Sequence, residues 1–323
     1  MQATLIYNAN AGSITQAKVN DLQDGLRDAG YEPVYKATDT IDDLNPILAE
    51  ARGLVVSAGG DGTAREVITR LVGRDDIRFL PLPMGTANNI CRTLGVAGKP
   101  LEIVQRLGSP QECTLDIGHL QAPWGEDFFV EGAGVGFFAE ILAQYNPEEG
   151  KSVLRSVQTI IDILQQGCSR ELTIHLPDRQ IAGNFLLVEA LNTAAVGPRL
   201  KFAPDADPTD GLLNIVCVRE DEREGYLQYL HGLLAEELHE LDSVETYRVP
   251  ELRISWSGFP VHVDAVVHPP GHNFREGDSQ LAPFTFHPYP FTAAEPTIAI
   301  RLLAQALQLW LPAPQEATAA TLA

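Results

Sequence analysis

The sequence predicts an N-terminal α/β domain with a parallel sheet, followed by a C-terminal antiparallel β-sandwich domain. Three observations predict it. Through residue 100, short apolar runs alternate with stretches of helical periodicity, and each run ends in a small or polar turn. That is the rhythm of a parallel sheet with crossover helices. Beyond residue 100, short strand-like runs follow one another, with turn residues between most of them. A chain of 323 residues also fits about two domains of roughly 150 residues each.

Residues 3–7 read as a first buried strand and run into Asn8-Ala9-Asn10-Ala11-Gly12-Ser13, small and polar. A helix is expected over 15–29, with Val19, Leu22 and Leu26 inward and Gly30 ending it. Residues 33–37 are a second strand, ended by Thr38, and another helix is expected near 41–51. Residues 54–58 form a third apolar run. Gly59-Gly60-Asp61-Gly62-Thr63 then sets three glycines around one carboxylate. Val67, Ile68, Leu71 and Val72 mark one face of a helix over 64–72. Residues 79–83 are a fourth strand, followed by Met84-Gly85-Thr86-Ala87-Asn88-Asn89 and a helix with Ile90 and Leu94 inward.

Strand, glycine turn and helix together present bare backbone N–H groups and a helix N-terminus to a phosphate. Glycine lets the chain approach the anion closely. Asp61 would repel a phosphate, so it needs a metal ion between them or a hydroxyl to steer. Taken alone, the five residues read more readily as a tight turn with Asp61 and Thr63 as helix caps, and Asn88 reads as the cap of the next helix. Two such turns in order suit the crevice where ligands collect in an open parallel sheet.

In the second part, residues 113–120, 127–131, 171–176, 185–191, 212–218, 252–256, 261–267 and 281–287 read as short strands. Residues 151–166 are the exception, with Val153, Leu154, Val157, Ile160, Ile161 and Leu164 on one helical stripe. The expected domains are 1–112 (α/β) and 113–292 (β-sandwich). Leu302, Leu303, Ala306, Leu307 and Trp310 space as an amphipathic helix over 293–311, and residues 312–323, rich in Ala and Thr, are expected as a disordered tail.

No basic and apolar leader opens the chain, and no apolar run is long enough to span a membrane. Cys91, Cys113, Cys168 and Cys217 are scattered, which points to free thiols in a cytosolic protein. The net charge of −20 is uneven: residues 1–100 carry 10 basic and 12 acidic side chains, and the remainder 13 and 31. This argues against a nucleic-acid partner, which needs a basic footprint. It also argues against tight docking on anionic lipid, for which a polybasic cluster is expected.

Gly-Gly-Asp-Gly-Thr followed by Glu66-Val67 resembles the signature of the diacylglycerol kinase catalytic domain, a family of bacterial lipid kinases and sphingosine kinases. NAD kinases and phosphofructokinases share its core. Asn8 and Gly12 match the family's Asn-Pro-x-Ser-Gly loop, with Ala9 and Ala11 in place of Pro and Ser. Gly85-Thr86-Ala87-Asn88-Asn89 resembles Gly-Thr-x-Asn-Asp, with Asn89 for the aspartate. Residues 201–213 resemble the family's Ala-Pro-x-Ala…Asp-Gly-x-Leu-Asp segment.

The resemblance implies an NAD kinase/diacylglycerol kinase-like fold with the active-site cleft between the two domains. ATP would lie on Asn8, Ala9, Asn10, Ala11, Gly12, Thr38, Gly59, Gly60, Asp61, Gly62, Thr63, Glu66, Gly85, Thr86 and Asn88. Asp61 would bind catalytic Mg²⁺, and Asn89 and Asp116 would stand near the cleft. A structural Mg²⁺ is implied at Asp207, Asp210 and Leu212, although that acidic loop alone reads as a solvated turn. The implied activity is transfer of the terminal phosphate of ATP to a hydroxyl of diacylglycerol or a related lipid. The implied setting is cytoplasmic, with transient association at a membrane surface, and a homodimer is left open.

The family's Asp-Gly-Glu, whose glutamate is its presumed base, corresponds here to Asp264-Ala265-Val266, and valine accepts no proton. Two explanations are open. The site is rebuilt around Glu131, or around Asp264 on the same strand face as residue 266, as base or metal ligand. Alternatively the chain binds nucleotide without kinase activity. NAD kinase is the enzymatic runner-up, but its expected Asn-Glu pair is not found. No Gly-x-Gly-x-x-Gly follows the first strand, which argues against a dinucleotide dehydrogenase.

Overall fold

The computed structural model describes residues 1–8, 16–144, 169–197, 199–221, 224–268 and 296–313. Ala9, Asn10, Ala11 and Gly12, the helix expected over 151–166, the strand over 281–287 and residues 314–323 lie outside them. The chain divides into two units: Met1–Leu115 with Gln305–Ala323, and Asp116–Ala304.

In the first unit, strands β1 (Gln2–Asn8), β2 (Glu32–Thr38), β3 (Gly53–Gly59) and β4 (Ile77–Pro83) are parallel, in the order β2-β1-β3-β4. Helices α1 (Gln16–Asp28), α2 (Leu44–Glu50) and α3 (Asp61–Leu71) connect them. Leu54, Val55, Val56 and Ala58 are all buried, which explains why this strand reads as an unbroken apolar run rather than an alternating one. Val19, Leu22 and Leu26 of α1 pack with Leu5, Leu54 and Leu80. The strand order reverses between β1 and β3, so the carboxyl ends of these two neighbours flank a topological switch point.

The second unit is antiparallel. β5 (Gln111–Ala122) leads into it and pairs with β6 (Gly125–Phe129). β7 (Gly132–Gly136), β8 (Arg170–His175), β9 (Gln180–Leu191), the short pair β10 (Ala195–Val196) and β11 (Leu200–Lys201), β12 (Leu213–Arg219), β13 (Val244–Val249) and β14 (Glu251–Ser255) follow. β15 (Val261–Val263) and β16 (Val266–His268) form a hairpin, and β17 (Thr297–Leu311) pairs with β14. The long β9 takes β8 and β7 in succession along one edge and β12 along the other. Alternate residues of β12 enter two cores. Leu213, Ile215 and Cys217 pack with Val188 and Phe129, while Val216 and Val218 pack with Phe138, Phe202 and Tyr229.

Several expectations need correction. Residues 297–311 are a strand, not part of an amphipathic helix over 293–311. Ile298 and Ile300 are buried in its first half, Leu307 and Leu309 in its second, and Gln305 between them has φ 55°. Two alternating stretches joined by a left-handed residue mimic helical spacing. The segment from Gln305 belongs to the first unit, where Leu309 pairs with Phe79 of β4, and the first break falls after Leu115 rather than residue 112. The run at 261–267 is a hairpin whose turn is Asp264-Ala265, so Asp264 and residue 266 do not share one strand face. Glycine-rich β7 was not expected, because glycine is a poor strand former.

Candidate active site

The glycine turns of the first unit close on each other. A Cβ built on Gly85 would lie 2.7 Å from Gly60 Cα, and one on Gly60 would lie 3.2 Å from Gly85 Cα. Only glycine lets the loops after β3 and β4 approach this closely. Met84 N–H donates to the Gly59 carbonyl at 3.1 Å. Asn88, left-handed at φ 52°, closes the second turn on itself: Gly85 N–H donates to its Oδ1 at 2.7 Å, and its Nδ2 donates to the Gly85 carbonyl at 2.9 Å.

Asp61 does not cap its own helix. Gly60 is the N-cap of α3, and Asp61, Gly62 and Thr63 form its first turn, which starts earlier than the 64–72 expected. The Asp61 carboxylate instead accepts the Ile90 N–H at 3.1 Å, in the first turn of α4 (Asn89–Thr93). Asp61 thus stitches the two turns together. Asn88 stands at the cap position of α4, but its side chain serves the turn, not the helix.

Asn8, Thr38, Gly59, Gly60, Asp61, Gly62, Thr63, Gly85, Thr86 and Asn88 all lie at or just past the carboxyl ends of the four parallel strands. Thr38 Oγ1 donates to the Tyr7 carbonyl at 3.2 Å, tying β2 to β1. Glu66 is engaged along the helix: Arg65 Nη1 donates to it at 2.7 Å, and Arg70 Nη1 donates to its other oxygen. Asn89 is buried.

In the second unit a chain of buried polar groups runs through Glu131. The Asp264 carboxylate accepts three successive backbone N–H groups, from Val130 at 3.0 Å, Glu131 at 2.8 Å and Gly132 at 3.1 Å. The Glu131 carbonyl accepts Asn192 N–H at 2.9 Å, and its carboxylate accepts Gly197 N–H at 3.3 Å. Asn192 Nδ2 donates to the Asp116 and Val130 carbonyls. Asp116, fully buried, accepts Gly211 N–H at 2.7 Å and donates its own N–H to the Pro208 carbonyl. Asp116 therefore anchors the acidic loop from beneath.

The carboxylates of that loop are engaged within the chain. Asp207 accepts from Thr209 N–H and Oγ1, and Asp210 accepts Leu212 N–H and Arg248 Nη2. Leu212 thus uses its N–H to hold Asp210. Among the described residues no three His, Cys, Asp or Glu side chains converge as metal ligands.

Sequence reading missed Glu189, Asn192 and His262. Glu189 and His262 meet at 2.7 Å with no exposure at all. Burial pushes the imidazole down, but the Glu189 carboxylate and the hydrogen bonds to Glu189 and the Asp264 carbonyl outweigh it, and the ring sits above its ordinary value. The available signal was an ionisable residue inside each of two apolar runs, Glu189 in 185–191 and His262 in 261–267.

Residues 2–120 match the profile of the diacylglycerol kinase catalytic domain, and residues 153–271 match the YegS C-terminal NAD kinase beta sandwich-like domain. Over residues 2–120 the chain carries the match to the diacylglycerol kinase catalytic-domain family. Diacylglycerol kinase of Bacillus subtilis is 26% identical over 233 residues, covering 68% of this chain and 74% of that protein. Diacylglycerol kinase of Mycobacterium tuberculosis is 27% identical over 226 residues, 68% of this chain and 72% of its own. A Pseudomonas aeruginosa protein named as YegS-like lipid kinase is 29% identical over 204 residues, and the match spans 58% of this chain and 63% of that one. The crystal structure of a diacylglycerol kinase from Bacillus anthracis aligns with TM-score 0.63 at 16% identity, covering 96% of each chain. The shared fold is a parallel N-terminal sheet with an antiparallel C-terminal sheet. Among the described residues no helix is long and apolar enough to cross a membrane.

The diacylglycerol kinase-type turns fit a nucleotide phosphate. The first-turn N–H groups of an α-helix have no intrahelical partner, and Gly60 and Gly62 bring no side chain to that turn. They fit one magnesium ion less completely. Asp61 is the single carboxylate at these turns, so most ligands would come from phosphate oxygens and water, as is usual for Mg²⁺.

Proposed function

We propose that this protein is an ATP-dependent lipid kinase that phosphorylates a hydroxyl of diacylglycerol or a related lipid. The observation that carries this reading is the closure of Gly60 on Gly85, with Asp61 bridging to Ile90 N–H. It supports a closely packed, glycine-built anion cradle at the start of α3, with a carboxylate fixed beside it. Phosphoryl transfer needs positioning and charge neutralisation more than covalent chemistry from the protein. In this reading the cradle binds the terminal phosphates, and Asp61 holds Mg²⁺ directly or through water. The metal, when bound, neutralises charge on the phosphates.

The acceptor hydroxyl oxygen forms a new bond to the γ-phosphorus. The bond from that phosphorus to the oxygen bridging the β-phosphate breaks, and ADP leaves. The hydroxyl proton goes to the Glu131 carboxylate, our candidate for the base that Val266 does not supply. Glu131 is supported over Asp264 because the Asp264 carboxylate already accepts three backbone N–H groups.

Val266, 40% exposed at the position of the family's glutamate, favours one second reading: nucleotide binding without turnover. Incubation with γ-labelled ATP, Mg²⁺ and a mixed lipid extract separates the two. A labelled lipid supports the kinase and names its acceptor. ATP binding without a labelled lipid contradicts it, and labelled NADP from NAD in a parallel reaction would make the protein an NAD kinase.

A further inference from the structure

Burying an ionisable pair is costly unless its remaining hydrogen-bonding capacity is met. The Glu189–His262 pair is buried completely, in the second unit, with no part in the nucleotide turns. Its geometry leads to Glu131. His262 on β15 stands beside Gly134 on β7, and Gly134 stands beside Glu189 on β9. The glycine leaves the space in which ring and carboxylate meet, since a Cβ there would lie 2.5 Å from Glu189 Cδ.

His262 Nε2 meets Glu189 Oε2 at 2.7 Å, and Nδ1 meets the Asp264 carbonyl at 3.0 Å. A carbonyl only accepts, so Nδ1 carries a hydrogen. Phe138 stands edge-on to the ring at 4.8 Å and leaves it little freedom to tilt. Asp264 is left-handed at φ 51°, an uncommon conformation for a residue with a side chain. It is fixed from both sides, by His262 on its carbonyl and by its own N–H on the Gly132 carbonyl at 2.8 Å. That conformation aims its carboxylate at the N–H groups of residues 130–132.

We propose that His262, braced by Glu189, is a positioning residue: it fixes the left-handed Asp264, and through it the turn that carries Glu131. The inference rests on the reading of Glu131 as the base and adds the device that places it. His262 touches no reacting atom. A pair that merely filled space would leave the 130–132 amides indifferent to its chemistry.

The test uses the full chain, labelled with ¹⁵N at valine, glutamate and glycine, with the amide shifts of Val130, Glu131 and Gly132 read alongside lipid phosphorylation. Glu189→Gln keeps the volume and removes the charge. His262→Ala removes both contacts, and His262→Asn restores a donor toward the Asp264 carbonyl. The expected result is displaced amide signals in Glu189→Gln and His262→Ala, with kcat down by about 100-fold and KM for ATP unchanged, as for a misplaced catalytic group. His262→Asn should return the signals and most of kcat. Unmoved signals overturn the proposal, as do moved signals with unchanged kcat. If His262→Ala does not fold, Glu189→Gln carries the same readouts. A wild-type protein that phosphorylates no lipid overturns the kinase reading, and the amide shifts then decide the positioning claim by themselves.

Discussion

Glu131 donates its backbone N–H to Asp264 Oδ1 at 2.8 Å, so the two carboxylates picked out in the sequence as candidate bases are joined through the main chain. They do not have equivalent roles. The Asp264 side chain is committed to a row of three amides, while Glu131 sits within the turn those amides form.

Replacing Asp264 by Ala should therefore act on stability first. Three buried N–H groups lose their acceptor, and an unsatisfied buried donor costs about 1–3 kcal/mol, so a loss of about 3 kcal/mol or more is expected. Urea unfolding of the variant measures it. A change below about 0.5 kcal/mol, typical of a surface position, would contradict the anchoring role.

Much of the first unit was legible because local signals agreed with the fold. The run at residues 54–58 is buried on both faces, and the α1 stripe of Val19, Leu22 and Leu26 is the face that packs. The C-terminal strand was not legible, because the bend at Gln305 shifts the alternation of Ile298 and Ile300 out of phase with that of Leu307 and Leu309. In the site, the two glycine turns could be found from spacing. The Glu189–His262 contact could not, because it depends on strand register across β15, β7 and β9.

Gly85→Ala should weaken ATP binding about tenfold or more, equivalent to about 1.4 kcal/mol. The added methyl would force the two turns apart, since its nearest contact is Gly60 Cα at 2.7 Å. Gly108→Ala, where a Cβ meets nothing within 4 Å, is the control. Calorimetric titration with ATP and Mg²⁺ compares them. Equal affinities would contradict the cradle.

Burial pushes the Cys91 and Cys217 thiols up to about 12. Below that pH they stay protonated, and the thiolate is the reactive form. Brief alkylation of the native protein at about pH 8, near the ordinary thiol value, followed by peptide mass spectrometry, should leave both unmodified, and denatured protein should react at both. Rapid native labelling of either would contradict their burial.

The raised His262 value sets a pH signature. A group whose folded pKa lies above its unfolded value stabilises fully below the unfolded value, about 6.5 for histidine, and loses that contribution as pH rises through the folded pKa. Wild type should therefore exceed Glu189→Gln in melting temperature most at about pH 6, with the gap narrowing toward about pH 9. A gap that widens with pH would reverse the sign of the interaction.

The most direct test of the central claim is transfer of labelled phosphate from ATP to lipid by wild type and Asp61→Ala, both shown to be folded. Loss of a preorganised electrostatic group at a reacting phosphate lowers kcat by about 100- to 1,000-fold. The account predicts a labelled lipid with wild type and a loss of that size with Asp61→Ala. Equal rates, or no labelled lipid with wild type, would contradict it.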